Sequence, residues 1–423
     1  MRFIPNIIKQ PLFKITSLNS FSVMLKVAIG LITSKIIAIF VGPSGMALVG
    51  NLRNFISSVE TLSVFGMQTG IVKYVAENKD DKDGLERLVS TVCITIISFS
   101  FVLSFVLFVW SSYWNYTILG GNENYGIIFK AFAIGLPWCA VNYIFIAIIN
   151  GLGKYNKVIY ISILSNILAL LVSVLLIWNL QTLGALLAVV VSPSLLFIIS
   201  YPFLKTELAI FNYLKLQWYD FKVLKKMSSY TLMALVSGIL GPIVFLAIRN
   251  NVIKNLGEEQ AGFWEAITRI STYYMMFVIT LISLYFLPKL VVAKTHTRTK
   301  LIFKVYFRNI LPVFGLVLIG LYFFRSSIVG LLFSSEFKPV EELFFWQFFG
   351  DFFKAASLIF GYQLLAQKKV KVFIITEMIS FGTLFLSANY LIRIFGIEGV
   401  VVAHALTYIV YLTVLIFYFF KEK

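Results

Sequence analysis

Twelve runs of roughly 20 apolar residues, bounded by Gly, Pro, Asn or charged residues, follow one another along this chain. About 20 apolar residues are needed to cross the hydrocarbon of a bilayer as a helix. The runs fall near 17–40, 45–75, 85–111, 126–149, 157–178, 181–204, 226–250, 260–292, 301–323, 342–366, 369–393 and 398–420. The longest connection, 205–225, leaves no room for a soluble domain. The chain therefore reads as an all-α polytopic membrane protein. Its composition agrees, since 59% of residues are hydrophobic and only 13% charged, against about a quarter charged in soluble domains. The N-terminal stretch lacks a small-residue cleavage site and runs into too long an apolar segment for a signal peptide, so the first helix is expected to be retained. Cys93 and Cys139 lie in apolar runs and read as small buried residues, not metal ligands or a disulfide framework.

The net charge of +17 raises nucleic acid as a partner, but the basic residues are sorted by loop. Of the 36 Lys and Arg, 22 fall at the termini and in alternate loops: Arg2, Lys9 and Lys14, then clusters beginning at Lys79, Lys154, Lys205, Lys294 and Lys368, then Lys421 and Lys423. The opposite loops hold four: Lys254, Arg325, Lys338 and Arg393. The positive-inside rule then predicts that both termini are cytoplasmic, and it accounts for most of the charge without nucleic acid. Of the ten within helices, Arg249 and others near helix ends are read as snorkelling. Lys26, Lys35, Arg53, Arg269 and Lys354 lie deeper. Each would cost about 2.5–3.5 kcal/mol facing lipid near the bilayer centre, so some must face protein or water.

The two halves correspond at a shift of about 215 residues. Arg53 falls on Arg269 and Lys73 on Lys289, while Lys154 falls on Lys369 and Gly184 on Gly399. Six spans per half keep both halves in one orientation. The pattern predicts two pseudo-symmetric six-helix lobes around a central cavity, as in alternating-access transporters. The expected boundaries are 1–204 for the first lobe, 205–225 for a cytoplasmic linker and 226–423 for the second lobe.

The stretches GPSGMALVGNLRNF (from Gly42) and TGIVKYVAE (from Thr69) carry a resemblance. So do KMSSYTLMAL (from Lys226) and FWQFFGDFFKAASLIFGYQLLA (from Phe345). With them the chain resembles the flippases of lipid-linked O-antigen and enterobacterial common antigen oligosaccharides (lipid III translocases). These belong to the superfamily of multidrug, oligosaccharidyl-lipid and polysaccharide exporters. The resemblance implies a protein of the bacterial inner membrane that flips an undecaprenyl-diphosphate-linked oligosaccharide from the cytoplasmic to the periplasmic leaflet. It also implies a possible partner in the polymerase of the same pathway. In the related lipid II flippases, arginines of the first, second and eighth helices line a cationic cavity. Arg53 and Arg269 match the second and eighth helices by span and depth. The first helix offers lysines instead.

A diphosphate calls for cationic donors at close range, and guanidinium can bind it bidentately. Arg53 and Arg269 are the leading candidates, with Lys26, Lys35 and Lys354 as further substrate contacts. Glu265 precedes Arg269 by four residues, a spacing that favours an ion pair. Glu60 lies on the face of Arg53 but seven residues away, about 10 Å along the axis, so it is open to proton coupling or to a pair with another helix. Asp351 and Lys354 are expected to pair. Lys26 and Lys35 sit on opposite faces of a straight helix. His404 reads as a buried, satisfied histidine. Gly238, Gly241 and Pro242 are the strongest kink signal and the expected hinge. No nucleotide loop, cofactor motif or metal-ligand spacing is present, and the outer loops are too short for a periplasmic enzyme. The competing reading is an ion-coupled drug or metabolite antiporter of the same superfamily. Its cationic cargo would call for buried acids in the first half, where Lys26, Lys35 and Arg53 stand against Glu60 alone.

Overall fold

A computed structural model describes residues 11–209, 213–293 and 295–421, with side chains except at 11–17, 229 and 230. The basic residues counted above at Arg2, Lys9, Lys294 and Lys423 lie outside the described residues. The described chain is helical, in the order α1 (Pro11–Phe40), α2 (Gly42–Ser63), α3 (Gln68–Asn78), α4 (Lys82–Val109), α5 (Ser111–Leu119), α6 (Gly126–Gly151), α7 (Tyr155–Lys205) and α8 (Phe221–Leu256). There follow α9 (Glu258–Leu281), α10 (Leu287–Val292), α11 (His296–Val305), α12 (Leu311–Phe323), α13 (Arg325–Leu332), α14 (Val340–Ala366), α15 (Val370–Phe395) and α16 (Glu398–Lys421). Among the described residues, ten helical segments are long and apolar enough to cross a membrane. The 51-residue α7 holds two of the expected spans, and α2 with α3 forms the remaining one. Each of the twelve expected stretches is thereby helical, with 45–75 in two pieces.

The breaks have local causes. The helix expected over 45–75 is interrupted at 64–67, because Phe65 (φ 50°) and Gly66 (φ 60°) both turn left-handed. Just before the break, the Thr61 and Ser63 hydroxyls donate to the carbonyls of Ser57 and Glu60. The interruption leaves Arg53 and Glu60 on α2 and Lys73 on α3. Two π-helical turns, Ile282–Phe286 and Tyr306–Ile310, immediately precede Pro288 and Pro312. A proline lacks the N–H and crowds the carbonyl four residues back, and a wider turn relieves both. In contrast, α8 runs without interruption through Gly238, Gly241 and Pro242. There the two glycines make room for neighbours. A Cβ at Gly238 would meet Thr61 Cγ2 at 2.6 Å, and one at Gly241 would meet Phe381 Cζ at 3.0 Å.

The internal repeat extends to backbone torsions. Gln181 bends α7 with φ 49° and ψ −121°. Gly396, 215 residues later, has φ 57° and ψ −136°. Three residues after each bend stands a glycine packed on the preceding turn. A Cβ on Gly184 would lie 1.9 Å from Leu176 O, and one on Gly399 2.3 Å from Leu391 O. Gly153 and Lys368, also 215 apart, share a positive φ two residues before the next helix begins. Gln181 and Lys368 adopt this turn geometry without the glycine that suits it.

Contacts group the chain into two compact units, Met1–Thr33 with Ile56–Gly238, and Ser34–Phe55 with Ile239–Lys423. The first unit is built on an aliphatic core that includes Val75, Leu88, Ile96 and Ile148. On its connection after α7, Glu207 is held by Lys157 at 2.5 Å and Lys154 at 3.1 Å. The hydrogen bond from Lys157 keeps its carboxyl below the usual range. The second unit buries aromatic side chains such as Phe286, Tyr306, Phe333 and Phe337, together with several charges.

Candidate functional site

In the second unit three arginines converge on one carboxylate. Glu265, on α9, is 5% exposed. Its Oε2 accepts from Arg249 Nη2 of α8 at 2.6 Å, and its Oε1 accepts from Arg269 Nε at 2.9 Å. Arg53 Nη1 of α2 stands 3.8 Å from the same Oε1. The expected four-residue pair between Glu265 and Arg269 is therefore present, and Arg53 and Arg269 meet at a shared partner.

Arg249 is the residue that sequence reasoning missed. It was read as snorkelling from a helix end, yet it is fully buried. Its guanidinium lies 5.0 Å from the centroid of Trp264, which stacks on Phe245. Its partner sits sixteen residues on, across the turn to the next helix, a spacing that no single-helix rule detects. Gly50 was missed as well. A Cβ there would come within 2.5 Å of Glu265 Oε2 and 2.7 Å of Arg249 Nη1, so only glycine lets α2 approach the pair.

Three guanidinium groups and one carboxylate leave two positive charges in excess. Arg249 and Arg269 are buried, whereas the Arg53 side chain is 47% exposed. Arg249 Nε and Nη1 and Arg269 Nη2 are buried donors without hydrogen-bond partners among the described residues. Arg269 Nη1 also reaches Ser34 Oγ at 3.4 Å, and Ser34 in turn bonds Tyr273 at 2.8 Å. The arrangement offers one accessible guanidinium backed by a fixed positive field, which suits an anion.

The other candidates are placed elsewhere. Lys35 donates to the carbonyls of Phe333 at 2.5 Å and Gly330 at 3.1 Å, where it caps the C-terminal end of α13. Lys354 lies over the Tyr408 ring at 5.3 Å. Asp351 takes hydrogen bonds from Ser271, Tyr274, Gln347 and His404. The expected bond between Asp351 and Lys354 gives way to this group of partners from three helices. His404 is buried and satisfied, as expected, with Nε2 3.0 Å from Asp351 Oδ1. In the first unit, Glu60 Oε2 accepts from Tyr143 at 2.9 Å. Lys26 lines a cavity in that unit. Among the described residues, no group of three or more His, Cys, Asp or Glu is placed to hold a metal.

Helical spans repeated in two halves, with buried charge in the second, define a polytopic helical membrane architecture. The chain has that fold. It matches a multidrug resistance MATE family transporter of the MOP superfamily with a TM-score of 0.77 at 13% identity, over 94% of each chain. It also matches the Vibrio cholerae MATE transporter VcmN, with a TM-score of 0.71 at 15% identity, over 97% of this chain and 96% of that one. The solved neighbours carry twelve helices in two lobes. Residues 12–292 match the model of the polysaccharide biosynthesis protein family, and the chain belongs to that family. It is 27% identical over 399 residues to the lipid III flippases of Escherichia coli (strain K12) and Shigella flexneri, covering 92% of this chain and 94% of each relative. Those relatives are named as transporters, not enzymes.

Proposed function

We propose that this chain flips an undecaprenyl-diphosphate-linked oligosaccharide from the cytoplasmic to the periplasmic leaflet of the bacterial inner membrane by alternating access. The observation that carries the reading is the convergence of Arg53, Arg249 and Arg269 on Glu265, an excess of cationic donors suited to a diphosphate. Family membership and the lipid III flippase relatives support it. In this reading residues 1–204 and 226–423 form the two lobes, 205–225 is the cytoplasmic connection, and both termini are cytoplasmic. Arg53 and Arg269 contact the diphosphate, and Arg249 holds the field behind them. Outward movement of the anionic lipid is favoured by about 2.3 kcal/mol per charge per 100 mV of membrane potential, negative inside.

The test is complementation of strains that lack defined glycan flippases, with the accumulated lipid intermediate analysed. Restored surface glycan and disappearance of the intermediate are expected. Arg53→Ala should abolish both while leaving protein level unchanged, and Arg53→Lys should restore part, because a point charge lacks the guanidinium fork. Transport of cationic drugs by the wild type without any glycan complementation would assign the chain to the antiporter class instead.

A further inference from the structure

The first unit holds a polar cavity of about 330 Å³, at the lower end of the roughly 300–1,000 Å³ usual for small-ligand sites. Its polar wall is formed by Lys26 of α1, Asn142 and Tyr143 of α6, and Ser162, Ser165 and Asn166 of α7. Among the described residues, no carboxylate lines it.

Two of these side chains are buried yet unsatisfied. Asn142 is 3% exposed, and its Oδ1 has no hydrogen-bond partner among the described residues. Ser165 is 8% exposed, and its Oγ is likewise unpartnered. Other members of the wall are held in place. Tyr143 donates to Glu60, Asn166 Nδ2 donates to Ser162 O at 2.6 Å, and Ser162 Oγ lies 3.3 Å from Ser22 Oγ. At membrane depth an unpaired polar atom costs several kcal/mol, so a wall that keeps two of them beside a cavity is matched to a ligand that supplies donors.

The ligand class follows from the mixture. Amide and hydroxyl groups set among aliphatic side chains suit a sugar ring, which presents hydroxyls at its edge and C–H groups on its faces. A small inorganic cation fits the acceptors but not the ammonium on the same wall. An ammonium without a lining carboxylate suits an anionic substituent. We propose that this cavity binds one sugar residue of the glycan, with Asn142 and Ser165 accepting its hydroxyls and Lys26 facing an acidic group on it. The proposal rests on the flippase reading, but it concerns a separate site in the other unit.

The experiment is saturation-transfer NMR on the purified full-length protein in detergent, with glucuronate and glucose as probes in sodium and in choline buffer. Both sugars should receive saturation, with glucuronate bound at least threefold more tightly. Lys26→Met, at an exposed position, should reduce glucuronate to the level of glucose. Asn142→Ala and Ser165→Val should each weaken both sugars severalfold, with thermal unfolding monitored to establish that the variants fold. Arg53→Ala should leave sugar binding unchanged, which separates this site from the cationic cluster. Absence of saturation transfer to either sugar, or unchanged binding in folded Asn142→Ala and Lys26→Met proteins, overturns the proposal. So does a cavity whose variants alter sodium binding but not sugar binding. Sugar binding without glycan complementation would instead overturn the flippase reading and leave this site standing.

Discussion

The two halves share their turns and differ in what they bury. Gln181 and Gly396 bend alike, and Gly184 and Gly399 seat the next helix alike. Yet Gln347, Asp351 and His404 of the second half stand 215 residues beyond Phe132, Leu136 and Val189 of the first. Where one half has a hydrogen-bonded polar group, the other has ordinary hydrocarbon packing. Backbone scheme and buried chemistry are thus separable: a repeat can keep its bends, which depend on torsions and close contacts, while its side chains diverge toward different tasks.

Glu265→Gln should test that contrast most severely. It leaves the buried Arg249 and Arg269 without a counter-charge, a situation that costs about 3–5 kcal/mol. Thermal unfolding in detergent should register a loss of that size, and a loss below 1 kcal/mol would mean the cluster is solvated. Gly50→Ala should follow at about 1–3 kcal/mol, since the added methyl meets Glu265 and Arg249 inside a packed contact. Its repeat counterpart Ala266 already carries that methyl. Asp351→Leu should cost a similar 1–3 kcal/mol by stranding the donors around it. Adding His404→Val and Gln347→Phe, the residues of the first half, should recover part of the loss. A strictly additive triple variant would show that these positions are not one network. Glu60→Gln should have the smallest effect on stability, under about 1 kcal/mol, because the amide oxygen can still accept from Tyr143. A flipping assay in vesicles with and without a proton gradient then reads whether Glu60 has a coupling role, which unchanged gradient dependence would remove.

The span count was legible because apolar run length is a local property of the chain, and the repeat because matching residues such as Arg53 and Arg269 recur at one offset. The pair of Glu265 with Arg269 was legible as a local property too, being a single helical turn. Arg249 was not, since its carboxylate lies on the next helix and its position near a helix end resembled an anchor. Nor was Gly50, whose necessity exists only once Arg249 and Glu265 have been brought against it. Of the partners of Asp351, Gln347 lies one helical turn back on α14, but Ser271, Tyr274 and His404 come from α9 and α16, beyond any single-helix spacing rule. Gln181 falls at the expected boundary between two spans, but no glycine there marks its torsion. At Gly238, Gly241 and Pro242, read from the sequence as a kink and hinge, α8 keeps its helical hydrogen bonding, and the close approaches of Thr61 and Phe381 to the glycines were not legible.

Gly262 ties distant parts of the chain together. A Cβ there would lie 2.0 Å from the carbonyl oxygen of Pro43, at the start of the helix that carries Arg53. Ordinary contact begins near 3.4 Å, so any side chain at 262 would have to push that helix back by roughly an ångström. Ten residues further on, the same displacement would open the 3.8 Å approach of Arg53 to Glu265. The reach of the most accessible cation is therefore calibrated by a residue that carries no charge, makes no hydrogen bond with its side chain and lies more than two hundred positions away in the chain.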